Sequence, residues 1–153
     1  MAEREREKAV RRIVVGVDGS PQSRAALEWA AVIASATGAT VDAMITWEFP
    51  SSYGDADYSE YSDDWRPDLD ATRVLEDTLI EVFGDDRPAW LSSTVLEGPA
   101  RSVLLDVSTS ADILVVGSRG RGGFAGLLLG SVSAACAEHA KCAVLVAHDR
   151  PRH

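Results

Sequence analysis

The chain of 153 residues holds 24 acidic and 15 basic side chains, for a formal charge of -9, and 46% of it is hydrophobic. That length and composition describe one soluble globular domain, large enough for a real core. The acidity argues against a broad basic face for duplex nucleic acid or anionic lipid, and no apolar run approaches the roughly 20 residues that span a bilayer. The first residues, MAEREREKAVRR, have no apolar stretch of the kind a secretory signal carries, and the two cysteines, Cys136 and Cys142, make no disulfide framework. The expected location is cytoplasmic.

In chain order, residues 1–11 read as a charged tail, residues 12–148 as one domain and residues 149–153 as a second short tail. Ile13 to Val17 is a continuous β-branched run, the pattern of a strand covered on both faces. Asp18-Gly19-Ser20-Pro21 ends it and starts a helix, with Ser20 as N-cap and Pro21 in the first turn. Ala25, Ala26, Trp29, Ala30, Val32, Ile33 and Ala36 follow at helical spacing, and Gly38 marks the stop. A second strand covers Thr40 to Trp47. From Ser51 to Asp70 seven acids (Asp55, Asp57, Glu60, Asp63, Asp64, Asp68, Asp70) face one base, Arg66, so this aperiodic stretch carries -6 of the -9. It reads as a long acidic loop over residues 50–68.

A helix from Asp68 to Phe83 offers Leu75, Leu79, Val82 and Phe83 to the core. Trp90 to Glu97 is a third strand, Gly98-Pro99 opens a short helix through Ser108, and Ile113 to Val116 is a fourth strand. A glycine-rich segment leads into a helix from Ser131 to Ala140, and Ala143 to Ala147 is the fifth strand. Strands alternating with helices imply right-handed crossovers. The fold class is therefore α/β, a three-layer α/β/α sandwich on a five-stranded, mostly parallel, Rossmann-like sheet of order 3-2-1-4-5. Ligands of such sheets sit beyond the C-terminal strand ends where strand order reverses, which directs attention to Asp18–Ser20 and to the segment after Val116.

That segment, Gly117 to Ser131, contains half of the twelve glycines, and no acid occurs from Ile113 through Ala137. Glycines let a backbone approach a ligand closely, and a helix N-terminus adds donors and a positive dipole end. With Arg119 and Arg121 the segment reads as a phosphate cradle, the plain alternative being a ligand-free surface loop. Ser131 can cap the helix or donate its hydroxyl to a phosphate. A P-loop fails, because Gly123-Phe124 stands where the lysine belongs. A G-x-G-x-x-[GA] match at Gly120, Gly122 and Ala125 lacks the second half of a dinucleotide fold. Asp18 has its own alternative, ordering an Asx-turn before Pro21.

The spacing G-x2-G-x9-G-[ST] is met by Gly117, Gly120, Gly130 and Ser131. With Val14 to Ser20, Asp112 to Gly120 and His139 to Val146 in the same order, the chain resembles the universal stress protein family over about Arg12 to Ala147; Ala143 departs from it, where the family often has proline. The resemblance implies the ATP-binding branch. There Asp18, flanked by Gly19 and Ser20, reaches the nucleoside, and Gly117, Gly120, Gly130 and Ser131 surround ribose and phosphates, beside the charge of Arg119. The backbone N–H of Val132 and the hydroxyl of Ser133 lie nearby, and Thr46, with Trp47, lines the adenine pocket.

Other polar residues point elsewhere. His139 and Cys142 have no second pair at zinc spacing, so His139 reads as a helix-end or packing residue and no protein metal site is expected. Cys136 reads as a small core residue, Trp29 and Trp90 as core or interface anchors, and no Ser/His/Asp arrangement supports catalysis. The expected function is an ATP-binding stress-response regulator, with Mg²⁺ held through the phosphates. It would pair as a homodimer through the fifth strand, with hydrolysis slow at most. Nucleotide would order the glycine segment and the acidic loop, changing a surface for a regulatory protein partner. An adenine-nucleotide hydrolase or adenylating enzyme of a related fold, and a nucleotide-free dimerisation module, are the alternatives.

Overall fold

The first apolar run becomes the central strand of the sheet, β1 (Arg12–Gly16), in a computed structural model that describes residues 8–49, 64–120 and 128–149. Most of the acidic loop and the middle of the glycine-rich segment, Arg121 included, lie outside the described residues. After β1 come α1 (Pro21–Thr37), β2 (Thr40–Trp47), α2 (Pro67–Phe83), β3 (Leu91–Glu97), α3 (Ala100–Val107), β4 (Ile113–Gly117), α4 (Ser131–His139) and β5 (Ala143–Ala147). A single 3₁₀ turn at Ser108–Ser110 ends the third helical segment, one more tight turn than the periodicity predicts. The other boundaries differ from the sequence reading by at most one residue, within the ordinary fraying of element ends.

The sheet order is β3-β2-β1-β4-β5 and every adjacent pair is parallel, so the expected order 3-2-1-4-5 holds with no antiparallel pair. Strand alternation divides the side chains between two faces. Ile13, Val15 and Val17 of the first strand segment join Val41, Ala43 and Ile45 of β2 and Val115 of β4 beneath α1 and α2. Leu27, Leu75 and Leu79 from those helices are fully or almost fully buried there. On the opposite face Val14, Met44, Leu114 and Val116 pack with Leu104 of α3 and Cys136 of α4. Cys136 is fully buried, and burial pushes its thiol pKa up, as an inert core cysteine requires.

Local chemistry sets the helix ends. The Ser20 hydroxyl accepts the Ser23 N–H at 3.2 Å while Pro21 occupies the first turn of α1. Gly38 closes that helix at φ 75°, the left-handed region that a residue with Cβ enters at a cost. Pro67 starts α2, with Asp68 and Asp70 in its first turn at the positive end of the dipole. Trp90 packs edge-on to Phe83 at 5.8 Å, an anchor as expected. Trp29 is 51% exposed on α1, so it is no core residue; its helix buries Ala26, Leu27 and Ala30 instead.

The N-terminal edge of the sheet is tied down by polar groups. Asp112 Oδ2 accepts the backbone N–H groups of Arg11 and Arg12, each at 2.9 Å, and these two donors hold its carboxyl below the usual carboxylate range. The Arg12 guanidinium donates to Ser110 Oγ at 2.6 Å and reaches Asp42, whose carboxylate also accepts the Thr94 hydroxyl at 2.9 Å. The cavity opens at the opposite, C-terminal edge.

Candidate functional site

β1 is joined forward to β2 on one side and lies beside β4 on the other, so strand order reverses between β1 and β4. Chain leaving the two strands in opposite directions leaves a crevice beyond their C-terminal ends. A cavity of about 360 Å³ occupies it, lined by residues of β1, β2, α3, β4 and the start of α4. That volume falls within the range of small-molecule sites.

Asp18, Ser20, Thr46, Gly117, Arg119, Gly120, Gly130, Ser131, Val132 and Ser133 all line this one cavity, although up to 115 positions separate them in the chain. Gly19 does not line it. It turns the chain at φ 81° between Asp18 and Ser20, a conformational role that glycine fills without strain. Asp18 Oδ1 accepts the Ser20 N–H at 2.9 Å, so the Asx-turn is formed and Asp18 both orders the turn and faces the cavity. Trp47 is absent from the lining because alternation turns it to the opposite face, where it packs edge-on with Phe49 at 5.6 Å. His139 is exposed in the last turn of α4, a position that suits a cation at the negative end of the dipole.

Two serines act differently from the sequence expectation. Ser131 does not cap α4. Gly130 holds the cap position in extended conformation (φ -71°, ψ 169°), no described side chain caps the first turn, and Ser131 is the first helical residue. The leading amides of α4 therefore belong to residues that border the cavity, and a helix N-terminus is a donor array with a partial positive charge. The buried Ser133 hydroxyl lies 2.9 Å from the Ser118 carbonyl and 3.1 Å from that of Gly130, and it donates to this pair. Ser118 C=O also accepts the Gly130 N–H at 2.7 Å. Ser133 thus fastens the two feet of the glycine segment together, and its proton is spent on that bond.

The glycines make room for protein atoms. A Cβ on Gly117 would come within 2.6 Å of Gln22 Cβ and 2.8 Å of the Gln22 carbonyl carbon, so the end of β4 lies directly against the first turn of α1. A Cβ on Gly120 would run into Asp18 Oδ2. One on Gly130 would sit 3.4 Å from Arg119 Cα, an ordinary contact.

The apolar half of the cavity was missed at the level of motifs. Val17, Met44, Ala100, Leu104 and Val116 line it together with the polar residues. The signal was present in spacing: Met44 stands two residues before Thr46 on the same strand face, and Ala100 and Leu104 share one side of a helix. What arises is an amphipathic slot whose lining combines aliphatic side chains, the Asp18 carboxylate, the backbone donors at the start of α4, and Arg119. Among the described residues no group of three or more His, Cys, Asp or Glu could hold a metal ion. No described helix is long and apolar enough to cross a membrane.

Residues 9–148 match the family model described as the universal stress protein family. The universal stress protein Rv1996 of Mycobacterium tuberculosis is 34% identical over 154 residues, an alignment covering 92% of this chain and 49% of that protein. The chain thus spans about half the length of the curated relatives it matches. Among solved structures, a universal stress protein in complex with cAMP is 27% identical with a TM-score of 0.63, over 94% of this chain and 100% of the other. The protein UspA from Lactobacillus plantarum shares the fold at a TM-score of 0.73 and 22% identity, over 92% and 99% of the two chains. A family member from Arabidopsis thaliana with AMP bound does so at 0.58 and 19%, over 92% of each. The matched span takes in all five strands, the crevice at the strand reversal and both feet of the glycine segment, and on it this chain belongs to the universal stress protein family.

Proposed function

We propose that this protein binds an adenine nucleotide, ATP in the first place, in the crevice between β1 and β4, and works as a nucleotide-dependent regulator in the cytoplasm. The observation that carries the reading is the pairing, in one cavity, of an aliphatic wall with the uncapped N-terminus of α4. A purine needs an apolar slot for its flat face, and phosphates need donors that cost no reorganisation. Val17, Met44, Leu104 and Val116 take the base, Asp18 the ribose hydroxyls, and the leading amides of α4 with Arg119 the phosphates. The relative solved with cAMP supports an adenine ligand for a chain of this family.

The net charge of -9 is no obstacle. Distant carboxylates are screened beyond about 8–10 Å at physiological salt, whereas the helix end and Arg119 act at contact. Magnesium fits this arrangement only through the nucleotide. It binds by one or two carboxylates plus phosphates and keeps its waters, and Asp18 is the carboxylate that the described wall supplies. When bound, the ion would offset phosphate charge. The chain's own residues would orient the nucleotide and exclude water from the base. Fast hydrolysis needs a positioned base and a group for transition-state charge, and the described wall offers Asp18 and Arg119 alone as ionisable groups. Turnover is therefore slow. Pairing of two copies through the edge strand β5, whose outer hydrogen-bonding groups face no described strand, completes the reading.

The test is direct. Acid extraction of the purified protein should release adenine nucleotide, and calorimetry should show ATP binding that strengthens with Mg²⁺. Neither bound nucleotide nor heat would sink the proposal. Turnover above roughly 1 s⁻¹, an ordinary enzyme rate, would make the protein a hydrolase instead.

A further inference from the structure

We infer that Gly120 is a positioning residue: the side chain it lacks is what lets the Asp18 carboxylate occupy its place in the lining of the cavity. The inference rests on the nucleotide-binding reading for its functional consequence and on the geometry alone for its structural one.

Three observations carry it. Gly120 is not among the described glycines with left-handed backbone, which are Gly19, Gly38, Gly84 and Gly98, so an alanine could adopt its conformation without strain. Second, among the described residues, the atoms that a Cβ at Gly120 would meet are those of one carboxyl group, Asp18 Oδ2 in collision and Asp18 Cγ at 3.6 Å. Third, that carboxyl group has little freedom to retreat. Its other oxygen, Oδ1, accepts the Ser20 N–H at 2.9 Å, and the Asp18 N–H lies 3.4 Å from Ser23 Oγ. With Oδ1 so engaged, turning about χ1 or χ2 to relieve a collision at Oδ2 breaks the Asx-turn bond.

Gly117 makes a useful contrast. Its missing Cβ is replaced by the backbone of α1, which cannot rotate away, so its smallness belongs to packing. Gly120 meets the tip of a side chain, so an alanine there moves a functional group and leaves the fold in place. A glycine three residues beyond a strand and a carboxylate at the end of another strand, 102 positions apart in sequence, therefore act as one unit.

A double-mutant cycle tests this. The wild type, Asp18→Ala, Gly120→Ala and the double variant are titrated with Mg·ATP after circular dichroism has shown that each is folded. Each single change is expected to weaken binding roughly ten- to a hundred-fold, the worth of a hydrogen bond to a charged group. The double variant should bind no more weakly than Asp18→Ala, because the group that Gly120 accommodates is already gone. Losses that multiply would overturn the inference and give Gly120 a direct contact with the ligand. A second readout needs no ligand. In the free protein the amide resonance of Ser20 should move in Gly120→Ala in the same sense as in Asp18→Ala, and an unmoved Ser20 amide would also overturn it. If wild-type protein binds no adenine nucleotide, the functional proposal fails by itself, and the Ser20 measurement still decides the role of Gly120.

Discussion

The two faces of the sheet are made from the same strands and have opposite fates. Under α1 and α2 the side chains close into a continuous aliphatic core with Leu27, Leu75 and Leu79 fully or nearly fully buried. Under α3 and α4 the core is smaller and stops short of the C-terminal strand ends, where the cavity begins. Helix length accounts for much of the difference. α1 and α2 have 17 residues each, about 25 Å of helix, enough to cover a strand from end to end. α4 has 9, about 14 Å, and the crevice lies beyond its first turn. Alternation lets a single strand serve both purposes: in β2, Val41, Ala43 and Ile45 stabilise while Met44 and Thr46 line the site.

The contrast is broken most strongly from the packed side. Leu79→Ala empties a site with no exposed surface and should cost about 2–5 kcal/mol in chemical denaturation. Nucleotide affinity of the surviving folded protein should stay as it was, because the site lies across the sheet. Gly117→Ala comes next. Its Cβ meets the backbone of α1, so overpacking should cost about 1–3 kcal/mol and shift the first turn of that helix. A cost near zero would show that β4 and α1 are less closely apposed than described.

Leu104→Ala sharpens the comparison from the hollow side. Leu104 borders the cavity, so removing its methyl groups enlarges an existing space, and the stability cost should sit near 2 kcal/mol, the low end for such a change. Nucleotide affinity, by contrast, should fall, since the aliphatic wall holds the base. Equal stability losses in Leu79→Ala and Leu104→Ala would erase the distinction between the faces.

The smallest effect concerns the belt at the N-terminal edge. The carboxyl of Asp112 is held below the ordinary range by two backbone donors, so its proton binds more weakly in the folded chain than in the unfolded one. Its contribution is present above the unfolded value and is lost as pH falls through the folded one. Asp112→Ala should therefore lower the melting temperature at pH 7, and the gap to wild type should close below about pH 4. A gap that persists in acid would mean that the donors, and not the charge, set the effect.

Much of this architecture could be read from the residues. Uninterrupted apolar runs such as Ile13 to Val17 signal a strand covered on both sides, and the caps Ser20, Pro21 and Gly38 mark a helix without any tertiary information. The polar half of the site was legible through glycine spacing. What escaped was whatever depends on neighbours distant in sequence. Nothing local says that Trp29 is half exposed on α1, that Gln22 fills the space beside Gly117, or that the Ser133 hydroxyl is engaged by Ser118. The aliphatic wall escaped for a different reason: Leu104 looks like any core leucine until the helix carrying it is placed against the end of β1.

The bond pair on the Ser118 carbonyl has a consequence for how such a site can diversify. With Gly130 N–H and the Ser133 hydroxyl both converging on that oxygen, the chain between the two feet begins and ends at fixed points whatever its composition. The entropy of closing a segment grows only logarithmically with its length, each doubling costing about 0.6 kcal/mol. Beyond Arg119 and Gly120, which border the cavity, the residues between the feet are thus an exchangeable handle. They can be shortened, lengthened or rewritten to suit another ligand while the sheet below registers little of the change.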